Sequence, residues 1–384
     1  MRVVCCYTSS SRCPCQTTTL RYLFVINHAY LPRRVGGAES TIHELCLGLK
    51  REGFQCGVLS RYQQRNTDPR STFLTDLRSS IGKRAFWFRK YSHDNDLGYP
   101  VYRSQRRQVP VRQVIQSFGP DVAVLHPNRR TGVAKSLLDS GVPVILYVQD
   151  VEFHTFECDL EPAPGKHFMA NSKFTAGRLK DKYGIDAHVV PPLVDRKLHA
   201  VDSTRSKVVM VNPHPKKGVD IAFGLARRRP DVQFEFFEAW PMPRDLRAEL
   251  TAVVQKLPNV LWHSHVLDSR KLYAEARIVL APSRWDEGWG RVVTEAQLNG
   301  IPVLASNRGN LADTVGPGGI VLDPDADISV WCNALGDLWD RVDVYDELVH
   351  AALRHARRAS IQPEVVMADF IRFSKSCATG VAGR

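Results

Sequence analysis

Two glutamates in a glycine-rich stretch have the chemistry needed to bind the hydroxyl groups of a sugar. The stretch runs from Glu287 through Gly-Trp-Gly-Arg-Val-Val-Thr to Glu295. Glycines at positions 288 and 290 let the backbone approach a ligand closely. A carboxylate beside a diphosphate accepts hydrogen bonds from ribose in dinucleotide-binding folds. If the loop holds a diphosphate, the pattern therefore suits a site for a phosphate-linked sugar.

The same two acids have a simpler interpretation. Glu287 would be a solvated loop acid, and Glu295 would pair with Arg291 one helical turn earlier. For two isolated glutamates this interpretation is favoured, so the surrounding elements have to decide between the two.

Those elements are a strand, a loop, a helix and a second strand. The apolar run 278–281 predicts a buried parallel strand. A helix is expected to begin at Arg291 and to stop at Gly300, before an apolar strand over 301–305. Free N–H groups at a helix N-terminus above such a strand bind anions. The stretch thus predicts an anion site beside the two glutamates.

Two further segments could bind phosphate. The apolar strand that begins at residue 22 is followed by Gly36-Gly37 and a helix over 38–51. Lys217-Gly218 lies at a loop–helix junction, where an ammonium would stabilise a departing diphosphate. Taken alone, the diglycine is weak evidence, since it also suits a tight turn without a ligand, and a loop lysine is by default solvated.

The string E-G-W-G-R-V-V-T-E-A-Q-x-x-G-I-P-V resembles the donor-site signature of the retaining glycosyltransferases of family 4, which have the GT-B fold. The resemblance implies that Glu295 binds the ribose of a nucleotide sugar and that Glu287 faces the transferred sugar. It also implies that His126, which ends the strand 121–126, lies near that sugar. The donor-binding residues implied are Gly36, Gly37, Lys217, Gly288, Trp289, Gly290, Arg291 and Glu295, and the catalytic ones are His126, Glu287 and Lys217.

One position departs from the family pattern. The family usually has an arginine at the end of the strand before the lysine-glycine pair, where this chain has Asn212-Pro213. The residue that supplies the second phosphate-binding cation is therefore undecided, and Arg284 and Arg291 are the alternatives.

Composition limits the partners. The chain has 384 residues, 43% of them hydrophobic and 24% charged, and a formal net charge of +12 that favours anionic partners. It contains no apolar run of about eighteen residues that would span a membrane, and residues 1–20 lack the apolar core of a secretory signal. The nine cysteines lack zinc-site spacing and are expected to be reduced. We therefore expect a cytoplasmic protein.

A basic and aromatic segment over 72–112 interrupts the regular alternation. Basic residues among aromatic rings suit an anionic membrane face or single-stranded nucleic acid, but also an ordinary solvated surface. Related enzymes often use this region for the acceptor or for membrane docking. The candidate acceptor or membrane residues are Arg84, Trp87, Arg89 and Lys90.

Alternating strands and helices predict an α/β protein. The resemblance adds a GT-B architecture, in which two Rossmann-like domains face each other across a donor-binding cleft. The expected divisions are a disordered extension (1–20), an N-terminal acceptor domain (21–195), a linker (196–206) and a nucleotide-sugar domain (207–362). A last helix and tail (363–384) would return to the N-terminal domain.

The expected function is transfer of a sugar from a nucleotide diphosphate to an acceptor hydroxyl with retained configuration, in the synthesis of a surface polysaccharide or glycolipid. No metal or other cofactor is expected, because protein groups would stabilise the diphosphate. The expected partners are a glycan or lipid-linked acceptor and an anionic membrane surface, and no nucleic acid is expected. The protein would be peripheral on the inner face of the cell membrane. The alternatives are a GT-B nucleotide-sugar epimerase, and a basic protein that binds membrane or nucleic acid and has an inactive donor site.

Overall fold

The computed structural model describes residues 19–61, 91–104, 110–127, 132–156, 159–264 and 266–380. Within them the chain forms two β-sheets flanked by helices, which confirms the α/β class. Most of the basic and aromatic segment, including the candidate acceptor or membrane residues, lies outside the described residues.

The first sheet has eight strands in the order β3-β4-β2-β1-β5-β6-β7-β8, and only the edge pair β3/β4 is antiparallel. Its strands are β1 (Arg21–Ile26), β2 (Gln55–Arg61), β3 (Tyr91–Asp94), β4 (Val101–Ser104), β5 (Val122–His126), β6 (Val144–Val148), β7 (Lys166–Ala170) and β8 (His188–Val189). Its helices are α1 (Gly37–Arg51), α2 (Val111–Phe118), α3 (Val133–Leu138) and α4 (Lys173–Tyr183).

The second sheet has six parallel strands in the order β11-β10-β9-β12-β13-β14. These are β9 (Lys207–Val211), β10 (Phe234–Phe237), β11 (Val260–His263), β12 (Ala276–Ala281), β13 (Val303–Ser306) and β14 (Gly319–Leu322). A short helix, α5 (Arg196–His199), precedes it. The remaining helices are α6 (Val219–Arg228), α7 (Arg244–Val254), α8 (Arg270–Tyr273), α9 (Arg291–Leu298), α10 (Leu311–Val315), α11 (Ile328–Asp340), α12 (Val342–Ala356) and α13 (Pro363–Thr379).

Strand β1 shows why the sheets are covered on both faces. Tyr22 and Phe24 belong to one apolar core, whereas Leu23 and Val25 belong to the core on the other side. Because side chains alternate along a strand, a continuous apolar run buries both faces, which is typical of a parallel sheet between helix layers.

Local signals gave the correct elements around the glutamates. Helix α9 begins at Arg291 as predicted, and Gly300 follows its end with a φ of +62°. The strand predicted over 278–281 is confirmed within β12, and the one predicted over 301–305 overlaps β13.

Two segments connect the halves. The stretch predicted as a linker over 196–206 contains helix α5, and its His199 is buried. The other residues of this segment are exposed or half-buried, which agrees with the lack of an apolar pattern. Helix α13, which follows the second sheet in sequence, packs on the first sheet. Its Phe370 ring stacks at 6.1 Å from Phe24, and the Ser374 hydroxyl lies 3.0 Å from that of Tyr22.

The strand order locates the place where a ligand is expected. In each sheet the order reverses beside the first strand, between β1 and β5 and between β9 and β12. Ligands of such sheets bind at the carboxyl ends of the strands flanking this switch point. None of the helices in the described ranges is long and apolar enough to cross a membrane.

Candidate active site

A cleft of about 810 Å³ lies between the two sheets at their switch points. It is lined by residues that follow β1 and β5 on one side and β9 and β12 on the other. Every residue predicted to bind the donor or to take part in catalysis lines it: Gly36, Gly37, His126, Lys217, Glu287, Gly288, Trp289, Gly290, Arg291 and Glu295.

Lys217 and Glu287 form an ion pair on the C-terminal side of the cleft. The Lys217 ammonium donates to Oε1 of Glu287, and the Ser283 hydroxyl donates to the same oxygen. Each side chain of the pair is 14% exposed. The Glu287 carbonyl accepts from the Asn310 N–H at 2.8 Å. Because β9 and β12 are neighbours, the loops that follow them bring the two residues together.

Two tryptophans surround the Lys217 ammonium. Its Nζ lies 4.7 Å from the ring centre of Trp240 and 5.0 Å from that of Trp285. Asn212 fixes the loop that follows β10 and carries Trp240. Its Oδ1 accepts from the N–H groups of Ala239, at 3.0 Å, and Trp240, at 2.7 Å. Where the family is expected to have an arginine, this chain has a side chain that supports an aromatic wall. The motifs did not single out either tryptophan.

Two helix N-termini face the cleft from opposite sides. Gly290 precedes α9 with a φ of +86°, and Gly36 precedes α1 in an extended conformation. The first N–H groups of a helix have no acceptor within it, so both ends present donors and the positive pole of a helix dipole. A Cβ added at Gly37 would meet no protein atom within 4 Å. The backbone there is open to a ligand.

Arg291 lies at the floor of the cleft, in a buried network that joins both halves. Its Nη2 donates to Glu44 on α1, its Nη1 donates to the Leu193 carbonyl at 2.8 Å, and its Nε donates to Glu295 at 2.7 Å. The other oxygen of Glu295 accepts from the Tyr273 hydroxyl at 2.8 Å. The simple pairing of Glu295 with Arg291 is therefore present, and Glu295 also lines the cleft.

His199 completes this network from the connecting helix α5. Its Nε2 lies 3.0 Å from Oε1 of Glu44, and its Nδ1 lies 2.7 Å from the Ser269 hydroxyl. Burial alone would lower the pKa of His199, but the charge of Glu295 and the hydrogen bond to Glu44 outweigh it and raise the pKa. Burial alone would raise the pKa of Glu44, but the charge of Arg291, the contact with His199 and the hydrogen bond from the Asp195 N–H together lower it. Charged partners thus compensate one another at the domain boundary.

His126 lies on the opposite wall, at the end of β5. Its ring centre is 5.9 Å from that of His28, and its Nδ1 is buried without a hydrogen-bond partner among the described residues. Burial, helped by the charge of Arg34, lowers the pKa of His126 to about 4. The imidazole is therefore neutral near pH 7 and can both donate and accept a hydrogen bond. Arg34 lies 2.8 Å from buried Glu39, whose pKa burial raises to about 7.

The two walls touch at Gly288. A Cβ there would lie 2.3 Å from the Gln149 carbonyl oxygen and 2.9 Å from Nδ2 of Asn171. The side-chain Nε2 of Gln149 is buried and has no acceptor within the described part of the chain. Next to it, Asp150 accepts from the Glu152 N–H at 3.0 Å, and burial raises its pKa to about 6. No motif in the sequence indicated Gln149.

Arg284, one alternative for the second cation, points away from the cleft. Its guanidinium pairs with Asp220 and Asp325, and it is not among the lining residues. In the described ranges, no group of three or more His, Cys, Asp or Glu side chains is placed to hold a metal ion.

Comparison with known families agrees with this arrangement. The family described as Glycosyltransferase Family 4 matches residues 35–198, and the one described as Glycosyl transferases group 1 matches residues 213–341. Together the two matches span well over half of the chain. The chain belongs to these glycosyltransferases.

Relatives of this glycosyltransferase family member include two with described activities. A D-inositol 3-phosphate glycosyltransferase of Paenarthrobacter aurescens is 29% identical over 215 residues, which is 49% of this chain and 52% of the relative. An O-antigen chain mannosyltransferase B of Escherichia coli is 39% identical over 69 residues, 18% of each chain. The chain thus spans about half the length of the first relative and a smaller part of the second.

Solved structures show the same fold. The HepE protein of Anabaena in complex with UDP-glucose has a TM-score of 0.71 at 19% identity, covering 93% of this chain and all (100%) of that one. Sucrose-phosphate synthase of Thermosynechococcus elongatus has a TM-score of 0.71 at 14% identity, covering 94% of this chain and 100% of its own. The two Rossmann-like domains and their cleft are therefore the GT-B fold.

Proposed function

We propose that this chain transfers a sugar from a nucleotide diphosphate sugar to an acceptor hydroxyl and retains the anomeric configuration. The observation that carries the proposal is the convergence on one cleft of two helix N-termini and the Lys217–Glu287 pair, at the switch points of both sheets. Family membership supports it, and so does the UDP-glucose bound in the HepE structure.

The chemical demand is stabilisation of the departing diphosphate. Charge that develops on a leaving group is best stabilised by donors already fixed in place. Lys217 would supply an ammonium, and the first N–H groups of α9 and of α1, beside Gly37, would supply amides. The bond from the anomeric carbon to the diphosphate breaks while the acceptor oxygen bonds to that carbon on the same face. The acceptor proton passes to a diphosphate oxygen.

Other groups would position the transferred sugar. Neutral His126 and the amide of Gln149 carry buried polar atoms that lack partners in the described part of the chain, and sugar hydroxyls would satisfy them. Glu287 would accept from a further hydroxyl. Its Oε1 already accepts from Lys217 and Ser283, so it suits a positioning role and not that of a covalent nucleophile.

We propose that the reaction needs no metal, since Lys217 and the helix amides supply positive charge where the diphosphate would lie. We further propose an acceptor of the surface polysaccharide or glycolipid class, which the O-antigen enzyme among the relatives supports. Cytoplasmic location, attachment to the inner face of the membrane through Arg84, Trp87, Arg89 and Lys90, and indifference to nucleic acid remain predictions from the sequence.

A donor panel tests the proposal. UDP-, GDP-, ADP- and dTDP-sugars would be incubated with the wild-type protein and with Lys217→Ala, in buffer containing a chelator, while binding and release of the diphosphate are measured. We expect one nucleotide class to bind and to be hydrolysed slowly, with loss of turnover in the variant. Interconversion of the donor sugar without an acceptor would favour an epimerase instead. Absence of binding by a folded protein would contradict the proposal.

A further inference from the structure

The cleft lacks the arginine expected at the end of β9. Asn212 stands there, and its side-chain oxygen is occupied by two backbone N–H groups. A diphosphate carries more charge than one lysine neutralises, so another cation is expected near Lys217. On the basis of the proposed function, we propose that Lys216 is that second cation, and that Glu152 pairs with Lys216 across the cleft until the donor diphosphate replaces Glu152.

The other permanent cations of the described cleft are committed elsewhere. Arg291 donates to two carboxylates and a carbonyl within a buried network. Arg34 lies against the buried carboxylate of Glu39, on the opposite wall. Removing the partner of a buried charge is costly, so neither of these arginines is free to follow a ligand.

Lys216 is held far more weakly. Its ammonium pairs with Oε1 of Glu152 at 2.6 Å, and the two side chains are 50% and 36% exposed. An exposed ion pair of this kind contributes little to stability. If the ammonium of Lys216 exchanges the carboxylate of Glu152 for a diphosphate, it therefore loses a weak attraction and gains a stronger one, because the diphosphate carries more charge.

The backbone of Lys216 is nevertheless fixed beside the cleft. Its carbonyl accepts from the N–H groups of Arg284, at 3.0 Å, and Trp285, at 3.2 Å. The next glycine, Gly218, has a φ of +75°, and a Cβ there would lie 1.9 Å from the Pro282 carbonyl oxygen. A rigid turn thus carries a side chain that is restrained by an exposed ion pair with Glu152 and by the ring of Trp285.

Both ammonium groups flank one indole ring. The Nζ atoms of Lys216 and Lys217 each lie 5.0 Å from the ring centre of Trp285. The Trp285 Nε1–H is buried and has no acceptor among the described residues. Two cations and an unsatisfied N–H donor around a single ring form an arrangement that an anion would complete.

Glu152 belongs to the N-terminal half, so the pair joins the two walls. Glu152 and the donor diphosphate compete for the ammonium of Lys216. Two opposite effects follow from this competition. Loss of Lys216 weakens diphosphate binding, and loss of the Glu152 charge strengthens it, because the ammonium is then free.

Calorimetry on the full chain distinguishes these effects. UDP, GDP, ADP and dTDP would first be titrated into the wild type. The diphosphate that binds most tightly, and separately its parent nucleoside, would then be titrated into the wild type, Lys216→Ala, Lys216→Arg and Glu152→Gln. We expect the Kd of the diphosphate to rise roughly 10-fold in Lys216→Ala, to change little in Lys216→Arg and to fall in Glu152→Gln. The nucleoside should bind all four proteins equally. Thermal unfolding of each variant would confirm that it is folded.

Diphosphate affinity in Lys216→Ala equal to wild type, or an equal loss for the nucleoside, would overturn the assignment of Lys216 and leave the proposed function intact. Weaker diphosphate binding in Glu152→Gln would overturn the competition. Failure of the wild type to bind any of the four diphosphates would instead contradict the proposed function itself, and with it this inference.

Discussion

Arg291 on helix α9 forms a buried ion pair with Glu44 on helix α1, so a residue of the donor-site motif bridges the two domains of the fold. The same guanidinium holds Glu295 on its own helix. The motif therefore has a structural role besides the one expected toward a nucleotide. It ties the two helices whose N-termini face the cleft.

Replacement of Arg291 by methionine should be strongly destabilising. It leaves the carboxylates of Glu44 and Glu295 buried with His199 as their nearest cationic partner. Loss of one partner from a buried pair costs on the order of 3 to 5 kcal/mol. Urea unfolding would measure this cost, with Arg284→Ala as the control, because Arg284 pairs at the surface. A loss below about 1 kcal/mol in Arg291→Met would show that the bridge is not a stabilising contact.

Lys217→Ala should raise the free energy of activation by more than it lowers the free energy of unfolding. The ammonium is expected to act on the charge that develops as the diphosphate departs, and removal of one such donor costs roughly 100- to 1000-fold in kcat. Steady-state kinetics with the donor found by the panel would measure it. Lys135→Ala removes a surface lysine from an exposed pair and should behave as wild type. A rise in KM with unchanged kcat would show that Lys217 binds the ground state and the transition state equally.

Two glycines should respond differently to alanine. Gly288→Ala places a methyl group 2.3 Å from the Gln149 carbonyl, so the walls must separate, and we expect lower stability together with lower activity. Gly37→Ala meets no protein atom within 4 Å, so the fold should be unaffected while diphosphate binding weakens. Thermal unfolding and nucleotide titration, run side by side, would separate the two effects.

Gly177→Ala serves as the control for this pair. Gly177 lies in helix α4, where the added methyl also finds open space, and it does not line the cleft. Alanine in a helix interior is favoured over glycine by about 0.5 to 1 kcal/mol, so a small gain in stability is expected. Unchanged diphosphate binding in Gly37→Ala would remove that loop from the donor site.

His126 should make stability depend on pH. Its pKa is about 4 in the folded protein and 6.5 in the ordinary imidazole, so the unfolded chain binds the proton first as the pH falls. The contribution of His126 to the free energy of unfolding is complete above pH 6.5 and is lost as the pH falls toward 4. The free energy of unfolding changes with a maximum slope of about 1.4 kcal/mol per pH unit.

Urea unfolding of wild type and His126→Asn between pH 7.5 and pH 4.5 would test this sign. The variant should lose less stability over the interval than the wild type, although it retains His28, whose pKa burial also lowers. Parallel curves for the two proteins would show that His126 titrates normally in the folded state.

Much of the fold was predictable because its signals are local. The start of α9 at Arg291, the glycine after its end and the apolar run of β12 all follow from residues adjacent in sequence. The domain boundaries remain predictions, although the linker proved to contain a helix.

The partners within the cleft were harder to predict, because they join distant parts of the chain. Lys217 and Glu287 are 70 positions apart and meet only because β9 and β12 are adjacent. Arg291 and Glu44 are 247 positions apart and depend on how the two domains pack. Gln149 carries no motif, and its unsatisfied amide is visible only once the cleft exists.

We propose above all that a nucleotide diphosphate sugar binds between the N-termini of α1 and α9 and gives up its sugar there. The most direct measurement is calorimetric titration of the four donor classes, in chelator-containing buffer, into wild type, Gly37→Ala and Gly177→Ala. We expect one class to bind the wild type and Gly177→Ala equally and to bind Gly37→Ala more weakly. Binding of none of them to the folded wild type, or equal binding to all three proteins, would contradict it.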